Sequence, residues 1–200
     1  MGCNGIHKKV KTMDFKEMNP LGIIGIIGAI ILVVGVFLGW LGPTSGSGTT
    51  YTGWDIWNNV DKIFKPSTEE IAGVGSVKYS GVPGYFAPLV ALICGIISIV
   101  LMIIPTVLGK DKLGNIGGIL GIIALILAVV VVICAILMYT GSVTIETYTA
   151  GGDLLSKVTH KVASDGVGFK IGFWLALVGG IITMIGGLMP ILKDKGIIKI

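Results

Sequence analysis

Two aspartates in the polar segments of this chain, Asp55 and Asp153, belong to a residue type that performs general acid–base chemistry. Each follows a stretch rich in threonine and tyrosine, residues 50–52 in one segment and 147–149 in the other. A pair of carboxylates can donate and accept a proton when a substrate lies between them. An aspartate directly before an apolar helical pattern is also an ordinary helix N-cap. We favour the N-cap interpretation, because it explains both aspartates without any chemistry.

His160 is the second candidate for chemistry, because it could bind a metal together with Glu146 or Asp165. The spacing of these residues does not match the ligand patterns typical of protein metal sites. The sequence also contains no phosphate-binding loop, nucleophile elbow or zinc-protease motif. We therefore expect a protein that is not an enzyme, and we expect no catalytic residue, no cofactor and no metal.

Trp54 and Trp57 flank the first aspartate and could form a recognition patch, since exposed tryptophans often dominate binding surfaces. The alternative is that they are core residues of the polar segment or anchors at a membrane interface, and we favour this alternative. Four residues are kept as candidates for an interaction outside the membrane: Trp54, Trp57, Asp55 and Asp153.

The elements that must position these residues are strongly apolar. The chain is 53% hydrophobic and 13% charged, and its mean hydropathy is +0.92. A membrane-spanning helix needs roughly 20 apolar residues, and four runs come close to or exceed this length: 21–40, 85–108, 116–139 and 169–192. We predict an α-helical integral membrane protein with a left-handed bundle of four transmembrane helices.

The polar segments divide this prediction into an N-terminus (1–20), a first outer loop (41–84), a turn (109–115), a second outer loop (140–168) and a tail (193–200). Threonine-, tyrosine- and valine-rich stretches at 49–52, 76–79 and 142–149 predict strands. Apolar spacing behind Asp55 and Asp153 predicts a short amphipathic helix after each. The outer loops should therefore form a small cap of strands and short helices.

The two halves of the chain show the same order of features, which predicts an internal duplication. Each has an apolar run, an outer loop with an aspartate, a glycine–valine pair before the next run, and a proline before a lysine-rich end. The repeats span 21–108 and 116–192. Each is a helix–cap–helix hairpin, and both hairpins run in the same direction. Asp55 should then correspond to Asp153, and Pro105 to Pro190.

Small residues recur every three or four positions along each apolar run, as on one side of a packed helix pair. In lipid, such a stripe allows close van der Waals approach of the helices. The alternative is that glycine is simply common in membrane helices. A tight, uncharged centre would also leave little room for a transport path. The predicted packing residues are Gly25, Gly28, Gly35, Gly39, Gly117, Gly121, Ala124 and Ala128.

Lysine is concentrated in the N-terminus, the 109–115 turn and the tail, whereas the outer loops carry a balanced charge. The positive-inside rule places both termini in the cytoplasm of a multi-pass protein, which we assign to the plasma membrane. The net charge of +4 does not require a nucleic-acid partner, because the excess lysines are predicted on the cytoplasmic face, where anionic lipid attracts them. We therefore expect the chain to contact the lipid bilayer and to form a homo-oligomer or bind a membrane-protein partner. We expect no binding to nucleic acid.

The pattern of four helices with Trp40, Gly53-Trp54 and Trp57 around the first outer loop resembles the claudin and peripheral-myelin-protein type of tetraspan. That resemblance implies a four-helix fold with strands in the first outer loop, although the family's cysteine pair is missing from this loop. The chain also resembles uncharacterised four-helix proteins of archaea and bacteria that carry a Gly-aromatic-Asp outer motif.

The aromatic cap and the absence of a pore-like pattern predict a membrane scaffold, adhesion or interaction protein that acts through its cap. The alternatives are a transport or channel subunit, or an accessory subunit of a larger membrane complex.

Overall fold

The computed structural model describes residues 20–58, 64–73, 75–108, 116–163 and 166–194. The predicted N-terminal segment as far as residue 19, the 109–115 turn and the end of the tail lie outside these residues, as does Asp165.

Four long helices make up the apolar part of the chain: α1 (Pro20–Val36), α3 (Ala87–Leu108), α4 (Ile116–Thr140) and α5 (Ile171–Asp194). The last three are long and apolar enough to cross a membrane. Helix α1 has 17 residues, or about 25 Å at 1.5 Å per residue, and is shorter than a typical span. The chain is therefore a membrane-embedded protein with at least three candidate spans in the described residues.

The end of α1 differs from the predicted boundary at residue 40. The backbone turns after Val36, because Phe37 and Leu38 donate hydrogen bonds to the carbonyls three residues before them. The indole of Trp40 then donates to the carbonyl of Gly35 at 2.8 Å. The last carbonyls of the helix are satisfied in this way, so the chain continues as strand β1 (Gly39–Pro43).

Two antiparallel sheets and a short helix form a cap at one end of the long helices. Sheet 1 has the order β2 (Tyr51–Thr52), β1, β7 (Val167–Phe169), and α2 (Gly53–Asn58) follows β2 directly. Sheet 2 has four strands in the order in which they occur along the chain. They are β3 (Ser67–Ile71), β4 (Gly75–Tyr79), β5 (Ser142–Thr149) and β6 (Leu154–Lys161).

The predicted helix behind Asp153 is wrong, since this segment is strand β6. Its apolar residues match a helical spacing, but the segment also contains β-branched residues and lies one tight turn after β5. Pairing with β5 runs from Ser142 opposite Lys161 to Tyr148 opposite Leu154. The backbone bonds of this hairpin outweigh the weak helical pattern.

The two halves of the cap also differ, so the predicted match of Asp55 with Asp153 is wrong. Asp55 lies in the first turn of α2, whereas Asp153 lies in the turn between β5 and β6. Pro105 and Pro190 both lie inside long helices. A duplication of the helices alone stays a prediction.

Glycines bring the backbones of α1 and α5 together. A Cβ atom added at Gly28 would lie 2.7 Å from the backbone nitrogen of Thr183. One added at Gly172 would lie 2.7 Å from the carbonyl oxygen of Gly35, and one at Gly179 would lie 2.7 Å from that of Gly28. We call Gly28, Gly35, Gly172 and Gly179 the glycine seam. At these positions no side chain fits between the two helices.

The other two predicted packing residues of the first run, Gly25 and Gly39, lie in different elements. Gly25 lies between α3 and α5, where an added Cβ would first meet the side chain of Met102 and would lie 3.2 Å from the Cα of Gly186. Gly39 is not in a helix at all. It lies in β1, where an added Cβ would meet the side-chain methyl of Thr50 at 2.6 Å.

On α4, only part of the predicted stripe is tightly packed. An added Cβ at Gly121 would lie 3.2 Å from the carbonyl oxygen of Gly187. At Gly117 it would lie 3.6 Å from the side chain of Pro105, which is ordinary van der Waals distance. Two alanines of the same stripe are buried: Ala124 and Ala128.

The glycine seam predicts a difference between two Gly→Ala substitutions. Gly28→Ala forces a methyl group against the backbone of α5, and such overpacking typically costs about 1–3 kcal/mol. Gly117→Ala has room for the methyl group, and alanine is favoured over glycine within a helix by about 1 kcal/mol. In thermal unfolding of the protein in nanodiscs, we expect Gly28→Ala to lower the midpoint and Gly117→Ala to leave it unchanged or raise it. Equal midpoints for both variants would contradict the seam.

Candidate functional site: the two-sheet cap

The start of α2 is held by a reciprocal pair of side chains. The backbone N–H of Thr52 donates to Asp55 Oδ2 at 2.9 Å, and its hydroxyl donates to the same oxygen at 2.8 Å. In return, the N–H of Asp55 donates to Thr52 Oγ1 at 3.1 Å. This is a capping box. The N-cap is therefore Thr52, and Asp55 is the third residue of the helix rather than the predicted N-cap.

Asp153 occupies a different kind of position, in the exposed turn between β5 and β6. Its N–H donates to Thr149 Oγ1 at 3.0 Å, and its carbonyl accepts from the N–H of Thr149 at 2.8 Å. These bonds use the backbone of Asp153. The predicted candidates Asp55 and Asp153 therefore have separate structural roles.

The two candidate tryptophans lie in unlike surroundings. Trp57 is half-buried and stacks on Tyr85, with the ring centroids 6.4 Å apart. The ammonium of Lys65 lies 4.2 Å from the centroid of the Trp57 ring, a cation–π arrangement. Trp54 is 43% exposed and lies 6.3 Å from the ring of Phe37. Trp57 is thus part of the cap's packing, whereas Trp54 remains on its surface.

An aromatic cluster with a buried centre joins sheet 1 to α5. Trp40 is 1% exposed and meets the ring of Phe173 edge-on at 5.6 Å. Phe169 lies 4.3 Å from Phe173, and Tyr139 from α4 lies 5.3 Å from Phe169. The structure shows that Trp40 and Phe173 hold the base of the cap.

One face of sheet 2 carries a paired charged cluster. Because Glu146 lies opposite both Lys78 and Lys157, these residues share one row across the sheet. Lys157 Nζ lies 2.8 Å from Glu146 Oε1, and the Tyr148 hydroxyl donates to Glu146 Oε2 at 2.7 Å. The hydrogen bond from Lys157, followed by that from Tyr148, lowers the pKa of Glu146 below its ordinary value. The same contacts raise the pKa values of Lys157 and Tyr148.

The opposite face of sheet 2 lines a cavity of about 220 Å³ between the two sheets. Side chains alternate across a strand, so Val143, Ile145 and Tyr79 lie on the face away from Glu146. His160 pairs with Val143 and belongs to this face as well. The walls are largely apolar: Leu41, Tyr51, Phe64, Tyr79, Val82, Val143, Ile145, His160, Lys161, Val162 and Val167.

The metal site considered around His160 is not assembled in the described residues. Within them, no group of three or more histidine, cysteine, aspartate or glutamate side chains is placed to hold a metal ion. His160 and Glu146 lie on opposite faces of sheet 2, and Glu146 is bonded to Lys157 and Tyr148.

The outer edges of sheet 2 are the part of the site that the sequence did not reveal. In the described chain, β3 and β6 are terminal strands, each paired with a neighbour on one side. Every residue of β6 is exposed. Three of its side chains are apolar: Leu154 is 53% exposed, Leu155 61% and Val158 44%. The β-branched residues Val158 and Thr159 were the available signal for a strand.

Helices able to span a membrane, together with this two-sheet cap, define the chain as a membrane-embedded protein with a β-rich domain at one end. Comparisons with protein-family models, with curated proteins and with solved structures found no match. The candidate site therefore has to be interpreted from its own geometry.

The capping box predicts unequal roles for the two aspartates. Asp55→Ala removes the acceptor for two hydrogen bonds from Thr52 and should cost about 1 kcal/mol, as loss of a helix cap does. Asp153→Ala retains the backbone bonds of its turn and should change stability by less than about 0.5 kcal/mol. Unfolding in denaturant, followed by circular dichroism, measures both. A larger loss for Asp153→Ala would show that the turn depends on its carboxylate.

The charged cluster predicts an order of pKa changes. Lys157→Met removes the largest cause of the lowered Glu146 pKa, and Tyr148→Phe removes the next. Both variants should raise this pKa, and Lys157→Met should raise it more. Because the pKa is lowered by folding, the stability from this cluster is present at neutral pH. It is lost as the pH falls below the ordinary glutamate value. NMR titration of the labelled carboxyl carbon tests the order, and an unchanged pKa in Lys157→Met would refute it.

Proposed function

We propose that this chain is a membrane-anchored interaction protein, a scaffold or adhesion protein that acts through its cap. The observation that supports this most is strand β6. Among the described residues it is a terminal strand of sheet 2, and its eight residues are all exposed, three of them with apolar side chains. Natural sheets usually shorten, cover or charge such edges, because an open edge pairs with other chains. Strand β6 carries two lysines, yet it is long and presents three apolar side chains, which suits a protein that binds through this edge.

The helices support a structural role better than a transport role. The backbones of α1 and α5 touch along the glycine seam, which leaves no space for water between these two helices. Two buried hydroxyls bond within their own helices. Thr183 donates to the carbonyl of Gly179 at 2.7 Å, and Thr106 donates to that of Met102 at 2.6 Å. Their hydrogen-bond donors are therefore satisfied within the helices, as is common for threonine in a helix.

We further propose that α1 is a fourth span, that both termini are cytoplasmic and that the cap lies outside the plasma membrane. In the sequence, the lysine-rich segments adjoin the helix ends that lie away from the cap. Exposed aromatic side chains at the cap end are typical of a membrane interface. They are Phe37, Phe86, Tyr139 and Trp174.

Topology can be tested by labelling single cysteines in intact cells, in a Cys3→Ser background. The two cysteines within helices, Cys94 and Cys134, are buried. An impermeant maleimide added outside should react with Ser156→Cys, which lies on the exposed β6. It should react with Lys112→Cys only after the cells are permeabilised. The reverse result would place the cap in the cytoplasm.

Two measurements separate the interaction function from the transport alternative. An interaction protein extracted in native nanodiscs should give particles containing more protein mass than one chain. In proteoliposomes, it should conduct no ions above the level of empty vesicles. Particles with a single chain, together with an ion flux abolished by Thr183→Val, would overturn the proposal in favour of a transporter.

A further inference from the structure

We propose that sheet 2 continues from one copy of this chain into the next, by antiparallel pairing of β6 with β3 of a neighbouring copy in the same membrane. This inference rests on the proposed interaction function and names the partner. It follows from three features of the cap: the two terminal strands, their directions and their charges.

The first feature is that sheet 2 ends in strands suited to pairing. On β3, Thr68, Glu70 and Ile71 are exposed, and Ile71 is 46% exposed. On β6 all eight residues are exposed. Pairing with β5 is regular from Ser142 to Thr147, and the register shifts only at the far end beside Tyr148. The regular stretch of β6 thus presents a straight edge longer than the five residues of β3.

The directions of the strands select which edges can meet. Strand β5 begins two residues after α4 ends, so it runs away from the helices. All neighbours are antiparallel, and therefore β6 and β4 run towards the helices and β3 runs away from them. Two copies with the same orientation in one membrane would have their β6 strands parallel to each other. Pairing of β6 with the neighbour's β3 is antiparallel and continues the existing hydrogen-bond pattern.

The charges of the two edges favour the same arrangement. Strand β6 carries Lys157 and Lys161, whereas β3 carries Glu69 and Glu70. Two like edges would bring charges of the same sign together, which destabilises cross-strand pairs, whereas unlike edges bring Lys157 near Glu70. Lys157 is bonded to Glu146, yet its side chain is 57% exposed. It can therefore also approach a carboxylate of the next copy.

The cross-strand register indicates which residues would be close. One row of sheet 2 runs from Thr68 through Lys78 and Glu146 to Lys157. Copies at equal depth in the membrane would extend this row, so that Lys157 lies opposite the neighbour's Thr68. Glu70 lies on the same face, two residues further along β3, and its carboxylate is then a diagonal neighbour of Lys157.

Pairing of two different edges leaves a free β3 at one end and a free β6 at the other, until these two ends meet. Such head-to-tail contacts generate closed rings or open rows. Because every copy keeps the same membrane orientation, growth takes place within the membrane plane. This arrangement would make the protein a lateral scaffold.

Cysteine cross-linking in native membranes tests the pairing. Thr68→Cys and Lys157→Cys would be made singly and together in the Cys3→Ser background and treated with a mild oxidant. Opposed cysteines on neighbouring strands are close enough for a disulfide. We expect the double variant to give a ladder of dimers and larger species on non-reducing gels. Co-expressed single variants should give only the mixed dimer, and each single variant alone should give none.

The control pair is Lys78→Cys with Lys157→Cys, which moves one cysteine of the same row to an inner strand and should give no ladder. A second test pair is Glu70→Cys with Lys157→Cys, treated with a short bis-maleimide. It detects the same pairing of β6 with β3 if the register is shifted by two residues. All sites are exposed, and a cooperative thermal transition in each variant would verify folding.

Dimers of Lys157→Cys alone would overturn the proposal by showing a β6–β6 contact. Absence of cross-links from both the Thr68–Lys157 pair and the Glu70–Lys157 pair would overturn it as well. The proposed interaction function is decided separately by the particle mass, because a larger particle without these cross-links requires another partner.

Discussion

The close approach of α1 and α5 is the constraint on which the cap depends. At the glycine seam the two backbones touch, as shown by the 2.7 Å between an added Cβ at Gly28 and the Thr183 nitrogen. With little hydrophobic drive between helices in lipid, such close packing is what can hold them together. The seam extends to Gly35 and Gly172, next to the ends of both helices. It thereby fixes the points from which β1 and β7 emerge.

Sheet 1 follows from that placement. Strands β1 and β7 leave neighbouring helix ends and pair from Leu41 opposite Phe169 to Pro43 opposite Val167. The Lys170 ammonium donates to the carbonyl of Pro43, and Trp40 packs on Phe173 above the seam. The base of the cap is therefore built by residues that lie far apart in the sequence.

Sheet 2 then joins the two halves of the chain through the pairing of β4 with β5. One of its faces is held by the cluster of Glu146, Lys157 and Tyr148, and the other faces sheet 1 across an apolar cavity. A sheet fixed on a rigid base presents its two outer edges in a defined direction. This defined direction is what a binding function through edge strands requires.

The sequence by itself determined that the chain lies in a membrane and which main elements it forms. Apolar runs predicted the long helices, because a hydrocarbon core requires continuous apolar side chains. Alternation predicted β4 and β5. Spacing predicted that Gly28 would lie at a helix contact. Only the tertiary structure decided that Gly39 lies in a strand, that Thr52 rather than Asp55 is the N-cap, and that the segment after Asp153 is β6. These outcomes depend on which backbone segments pair in the folded chain: β1 pairs with β2 at Gly39, and β5 supplies the hydrogen bonds of β6. A periodic pattern indicates which side chains share one face of an element. It does not indicate which other backbone segment will be available to pair with that element.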